Sequence, residues 1–219
     1  MQAWFAHVPG LKVVMPSNAY DAKGLLLSSI FDPDPVLFLE HRWLHNSRGE
    51  IGEGDYRIPL GKAKKITQGN DITLVSMSYM TVEALKVQKY LEKFNISLDL
   101  IDLRSIKPLD YESIVNSVKS TKKLLVLDTG ASTCSVASEI ISHVSINCSD
   151  FLDKSPQKIT MPDIPEPTSY ALTKNFYPSA AEIADKIFKM LDIENVNPYE
   201  DLPKPSPHDV PGEWFKGPF

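Results

Sequence analysis

Apolar and polar positions along this chain fall into short blocks whose order is that of an α/β protein. Residues 12–15, Lys12-Val13-Val14-Met15, form a brief run of strand length. Ser17 or Asn18 then stands where a helix cap belongs, ahead of a helix to about Ile30 with Leu25, Leu26 and Leu27 toward the inside. Asp32-Pro33-Asp34-Pro35 stops that helix, and residues 36–39 are a second buried strand. Ahead of these, residues 1–6 look like the end of a helix, because Trp4 and Phe5 run into Pro9-Gly10. A chain that opens on a helix end is expected to be missing its beginning.

From 46 to about 70 the chain is polar and holds Gly49, Gly52, Gly54, Pro59, Gly61 and Gly69, a linker composition that marks a domain boundary. Beyond it the period alternates between strand and helix. Strands are expected over 72–76, 98–102, 124–127 and 158–161, and helices over 81–94, 111–118, 135–144 and 179–191. Asp110 is placed to cap the second of these helices, with Glu112 in its first turn where the helix dipole favours an acid. Strands alternating with helices predict a mainly parallel sheet covered on both faces. Residues 193–219 hold six of the 17 prolines and little apolar period, so they are expected as an extended arm. The predicted units are 1–45, a linker 46–69, a second domain 70–191 and a tail 192–219.

With 219 residues and 42% hydrophobic side chains the chain can bury a substantial core. Its net charge of −5, with both signs interspersed, gives no electrostatic reason to bind nucleic acid or an anionic membrane. Only Cys134 and Cys148 are present, with no His cluster near them, which argues against a zinc site or a disulfide framework. No apolar run approaches the ~20 residues that span a bilayer. A protein of the cytoplasm, or of the mitochondrial matrix in a eukaryote, is the expectation.

Three consecutive blocks carry a family signal. The stretch Ala3-Trp4-Phe5-Ala6-His7-Val8-Pro9-Gly10-Leu11-Lys12-Val13-Val14-Met15-Pro16-Ser17 resembles a motif of the beta subunits of pyruvate and branched-chain 2-oxo acid dehydrogenases, enzymes that depend on thiamine diphosphate. Asp21-Ala22-Lys23-Gly24-Leu25-Leu26 and Pro35-Val36-Leu37-Phe38-Leu39-Glu40-His41 continue it at family spacing, and Ile101-Asp102-Leu103-Arg104-Ser105-Ile106-Lys107-Pro108 and Pro162-Asp163-Ile164-Pro165-Glu166-Pro167 extend it to about residue 191.

The resemblance implies that 1–45 is the last part of a pyrimidine-binding α/β domain and that 70–191 is a transketolase C-terminal-like domain. It implies an alpha subunit, a second copy of this chain and a lipoyl acyltransferase as partners, with thiamine diphosphate and Mg2+ as cofactors of the full complex. The family's catalytic glutamate and active-site histidine fall before the match of Met1, so no residue here is assigned a catalytic or cofactor-binding role. The chain is expected to be inactive alone and to pair through its C-terminal domain. A non-catalytic assembly module, or a piece of another transketolase-type enzyme, is the alternative.

Several side chains invite chemistry. The resemblance implies a structural potassium ion at Ser29, Ile30, Asp32 and Asp34, held largely by carbonyls after a helix end, whose negative dipole suits a cation. A rigid turn without an ion fits the same prolines. His7 is expected to fix a helix end, and Trp4 and Phe5 to be core or subunit-contact aromatics. Arg104 and Lys107 are expected in salt bridges at an interface. The loop 128–137 precedes a helix, where an anion can bind. With Cys134, Ser135 and Ala137 at positions the family fills with glycine, ordinary packing is expected there instead. The tail is expected to lie over a dimer partner and bury Trp214, Phe215 and Phe219, with an acidic surface for the acyltransferase as the other reading.

Overall fold

The structure is a computed structural model and describes residues 1–217. In chain order the elements are α1 (Gln2–Ala6), β1 (Lys12–Val14), α2 (Ala19–Ile30), β2 (Val36–Phe38), β3 (Lys64–Lys65), β4 (Ile72–Ser76), α3 (Tyr79–Leu91), β5 (Leu98–Asp102), β6 (Ser105–Lys107), α4 (Tyr111–Thr121), β7 (Leu124–Ala131), α5 (Val136–Asn147), β8 (Gln157–Met161), α6 (Tyr170–Thr173), α7 (Ala180–Met190) and α8 (Pro198–Asp201). They make two sheets. The larger has the order β3-β5-β4-β7-β8, the smaller β2-β1-β6.

In the larger sheet β5, β4, β7 and β8 run parallel and the two-residue β3 joins antiparallel at one edge. Its central strands β4 and β5 are buried at every position because both faces are covered. Leu74, Leu100 and Leu125 turn to one side, under Met80, Val87 and Leu91 of α3 and Ile183 and Ile187 of α7. Val75, Ile101 and Val126 turn to the other, under Ile114 and Val118 of α4 and Ile140 and Val144 of α5. Asp110 caps α4 by accepting from the Ser113 amide at 3.2 Å, as its position suggested. At the sheet margin Gly69 lies against the backbone of Ser97 and Leu98, where a Cβ would come within 2.5 Å.

In the smaller sheet β1 and β2 pair in parallel across α2. Asn18 caps this helix, accepting from Asp21 N at 2.9 Å, and Ser17 is used elsewhere. Leu25 is fully buried, but Leu26 is 45% exposed, which corrects the expectation that three consecutive leucines face inward. Successive helical residues are turned by about 100°, so one face cannot take all three.

The third strand, β6, comes from the larger domain's segment and pairs antiparallel with β1. Residues 105–107 are too few to show a period and end at Pro108, so the strand was not expected. Val13 and Met15 of the smaller layer consequently share one apolar cluster with Val75, Met77 and Ile101 of the larger sheet. The polar stretch 46–69 is laid against α2 rather than free: Ile58 is buried and donates its amide to the Gly24 carbonyl at 3.2 Å, and Tyr56 stacks on Tyr20 at 4.5 Å.

The tail is not the extended arm its composition predicts. Residues 198–201 form α8 on α7, Val196 and Leu202 pack on the core, and Tyr90 Oη donates to Asp201 Oδ2 at 2.8 Å. Farther along, His208 packs its ring on Tyr170 at 4.0 Å, and Lys216 N donates to Asn46 Oδ1 at 3.1 Å. Single apolar anchors between prolines leave no period to detect, yet each finds a place on an existing surface. Trp214 is 37% exposed and Phe215 half-buried; Phe219 lies outside the described residues.

Candidate functional site

An open sheet in which the first parallel strand lies between the second and third has its natural ligand crevice between the first and third, at their carboxyl ends. Here those strands are β4 and β7. On its β7 side a carboxylate is already engaged by the chain itself. Gln2 of α1, buried, donates from Nε2 to Asp128 Oδ1 at 2.6 Å. The same Oδ1 accepts from Gly130 N at 2.8 Å, and Oδ2 accepts from Ala137 N at 3.0 Å. Asp128 thus puts its own carboxylate at the start of α5, where an external anion would otherwise bind. A Cβ at Gly130 would stand 2.8 Å from Gln2 Nε2, so a larger residue there would push the Gln2 amide aside. Lys158 closes the loop by donating to Ser132 O and Ser138 Oγ, both at 2.6 Å. These bonds hold the loop 128–137 to the rest of the chain.

A second set of contacts locks the two sheets together. Arg104 has φ +55°, an uncommon conformation for a side-chain-bearing residue, and it reverses the chain between β5 and β6. Its Nη1 donates to Asp21 Oδ1 of α2 at 3.1 Å, its Nε to Lys62 O and its Nη2 to Ala63 O, each at 3.2 Å. Asp21 is fully buried and also receives Asn18 Nδ2 at 2.7 Å. Beside this pair Asp102, at the end of β5 and fully buried, accepts from Ser17 Oγ and, at 3.2 Å, from Arg104 N. Burial pushes its carboxyl up to about 6, against the lowering influence of the Ser17 and Arg104 hydrogen bonds. The expected interface salt bridge at Arg104 is present. Lys107, expected to act likewise, is exposed and makes no ion pair among the described residues, because β6 turns it away from the junction.

The remaining candidates are dispersed. His7 is exposed at the end of α1, where its backbone amide closes the helix onto Ala3 O at 3.1 Å. Its ring lines a cleft of about 720 Å³ together with Lys107, Tyr111, Cys134 and Glu139. Phe5 packs on the second core cluster, whereas Trp4 is 80% exposed and so is not a core residue of this chain. Asp32 and Asp34 both meet Lys12 Nζ, at 2.7 and 3.0 Å, and this pairing raises the Lys12 pKa and lowers that of Asp32. The Ser29 carbonyl accepts from Asp32 N at 3.4 Å.

Asp21 and Asp128 stood in stretches the sequence singled out but with no role assigned to either carboxylate; Gln2 and an aromatic group around Trp43 carried no signal. Tyr79 and Tyr177 lie 4.8 and 4.7 Å from Trp43, and His41 stacks on Tyr79 at 5.3 Å. Burial pushes His41 down to about 4, and its Nδ1 accepts from Trp43 N at 3.2 Å.

Residues 61–183 match the family model of the transketolase C-terminal domain, and residues 1–47 match that of the transketolase pyrimidine-binding domain. The chain belongs to the transketolase C-terminal domain family. Within it, the chain is 39% identical over 180 residues to the beta subunit of acetoin:2,6-dichlorophenolindophenol oxidoreductase of Cupriavidus necator, covering 82% of this chain and 53% of that protein. It is 40% identical over 186 residues to the pyruvate dehydrogenase E1 component subunit beta of Rhizobium meliloti, covering 84% and 40%. It therefore spans about half the length of the curated relatives it matches. A split-gene transketolase solved as an inactive beta4 tetramer has the same fold, with TM-score 0.71 and 21% identity over 89% of this chain and 61% of that one.

Proposed function

We propose that this chain is part of the beta subunit of a thiamine-diphosphate-dependent 2-oxo acid dehydrogenase, where it supplies subunit assembly and the surroundings of the active site. The full enzyme would decarboxylate a 2-oxo acid oxidatively and pass the acyl group to lipoamide. The carrying observation is the similarity of nearly 40% across both layers to beta subunits of pyruvate and acetoin enzymes. The described residues do not fit the cofactor. Gln2 is bonded to Asp128 at the end of β7, Asp128 is bonded at the start of α5, and no group of three His, Cys, Asp or Glu among the described residues is arranged to hold Mg2+. Thiamine diphosphate and Mg2+ belong to the wider assembly in this reading, and no step is assigned to residues of this chain.

The partners in this reading are an alpha subunit, a second copy of the chain and a lipoyl acyltransferase, in the cytoplasm or the mitochondrial matrix. Among the described residues no helix is long and apolar enough to cross a membrane. A tagged copy expressed in its own host, purified and analysed by mass spectrometry, is expected to bring down an alpha subunit. Assayed alone with thiamine diphosphate, Mg2+ and either pyruvate or acetoin, it is expected to show no turnover. Recovery of the chain without any dehydrogenase subunit would favour the assembly-module alternative, and turnover by the chain alone would overturn the proposal.

The loop Ser29, Ile30, Asp32 and Asp34 remains a proposed potassium position, resting on the Ser29 and Ile30 carbonyls because both carboxylates are already met by Lys12. Potassium chloride is then expected to raise the Tm above that in choline chloride of equal ionic strength. Equal Tm values would leave a turn held by Lys12 alone.

A further inference from the structure

We propose that Ser17, Asp21, Asp102 and Arg104 form a proton-operated joint between the two sheets, which tightens when the cluster takes up a proton and loosens when it gives one up. The observation is a count of buried charge. Asp21 and Asp102 are both fully buried; the Arg104 guanidinium bonds Asp21, and only the Arg104 backbone N–H reaches Asp102. Its guanidinium is committed to Asp21 Oδ1 and to the Lys62 and Ala63 carbonyls. Asp102 is left with a hydroxyl, from Ser17, and a peptide N–H, from Arg104. An ionised Asp102 therefore has no direct counter-ion in a place water does not reach, and removing that charge stabilises the closed arrangement.

The other charged groups on the surrounding elements do not supply the missing charge. Lys64, opposite Asp102 on β3, is exposed, as are Lys62 before it and Lys107 on β6. Asp110, at the start of α4, is engaged with Ala63 N and Ser113. The cluster also lies on the seam itself. Ser17 and Asp21 belong to the smaller layer, Asp102 to the larger sheet, and the Met15 amide crosses to the Arg104 carbonyl at 2.8 Å. Opening the seam would hydrate Asp102 and return it from about 6 toward the ordinary carboxylate value of about 3.9. The closed form thus holds the proton more tightly than the open one. Closure is favoured as pH falls through about 6, and the gain is complete once pH is below the open-state value.

Hydrogen exchange of the Met15 amide, corrected for its intrinsic pH dependence, reads the seam directly. In the 219-residue chain its protection factor is expected to rise about tenfold between pH 7.5 and pH 5.0, and in Asp102→Asn to be flat over that range. An equal rise in both proteins, or a flat profile in the unmodified chain, would overturn the joint. If Asp102→Asn does not fold, Ser17→Ala keeps the carboxyl but loses the hydroxyl that favours its ionised form. The midpoint of the rise should then move to higher pH, and an unmoved midpoint would overturn the proposal equally.

Discussion

Replacing Arg104 with methionine is expected to lower stability by about 3–5 kcal/mol, the range for a buried ion pair that loses one partner. The Asp21 carboxylate would stay fully buried with only Asn18 beside it, and the Lys62 and Ala63 carbonyls would lose their donors. The loss should show as a lower urea midpoint. Asp21→Asn in the Arg104→Met background is expected to recover part of it, because an amide buried without a counter-ion costs less than a carboxylate. A loss below about 1 kcal/mol, typical of an exposed pair, would mean that the junction is solvated and does not hold the sheets together.

The second large effect is expected at Asp128. Asp128→Ala removes the acceptor for the Gln2 amide and for the Gly130 and Ala137 backbone N–H groups, and with it the negative charge at the start of α5. Unsatisfied buried donors each cost about 1–3 kcal/mol, so a total near 3 kcal/mol is expected after local relaxation. Asp128→Asn keeps one acceptor oxygen and should lose less. Gln2→Ala leaves the Gly130 and Ala137 N–H groups bonded to the carboxylate and should lose least. If all three variants lost the same amount, α5 would not depend on the carboxylate.

The order of these effects bears on the role proposed for the chain. Residues that would be candidates for ligand chemistry in an isolated α/β domain are spent on joining two layers. A carboxylate at a helix start and a polar side chain at the switch point ordinarily hint at a bound anion or nucleotide. Here both are satisfied by other parts of the same chain, as in a scaffold that presents surfaces to partner subunits.

The four parallel strands of the larger sheet were legible from residue pattern alone, whereas its edge strand β3 lies in the stretch expected as a linker. Runs such as Ile72–Ser76 and Leu98–Asp102 are rich in Leu, Ile and Val and buried throughout because helices cover both faces, and Asp110 and Asn18 announce helix starts by a side-chain bond only three residues long. These features depend on neighbours in sequence, so the sequence by itself determined them, along with the family match. What only the tertiary structure decided is the seam: β6 completing the smaller sheet, α8 packed on α7, and Gln2 bonded to Asp128. Ser17 meets Asp102 across 85 positions, Asp21 meets Arg104 across 83, and Gln2 meets Asp128 across 126. A lone Asp, Gln or Arg has the same local signature whether water or a buried partner will surround it. Which of the two occurs is fixed only when the sheets meet and remove the water between them.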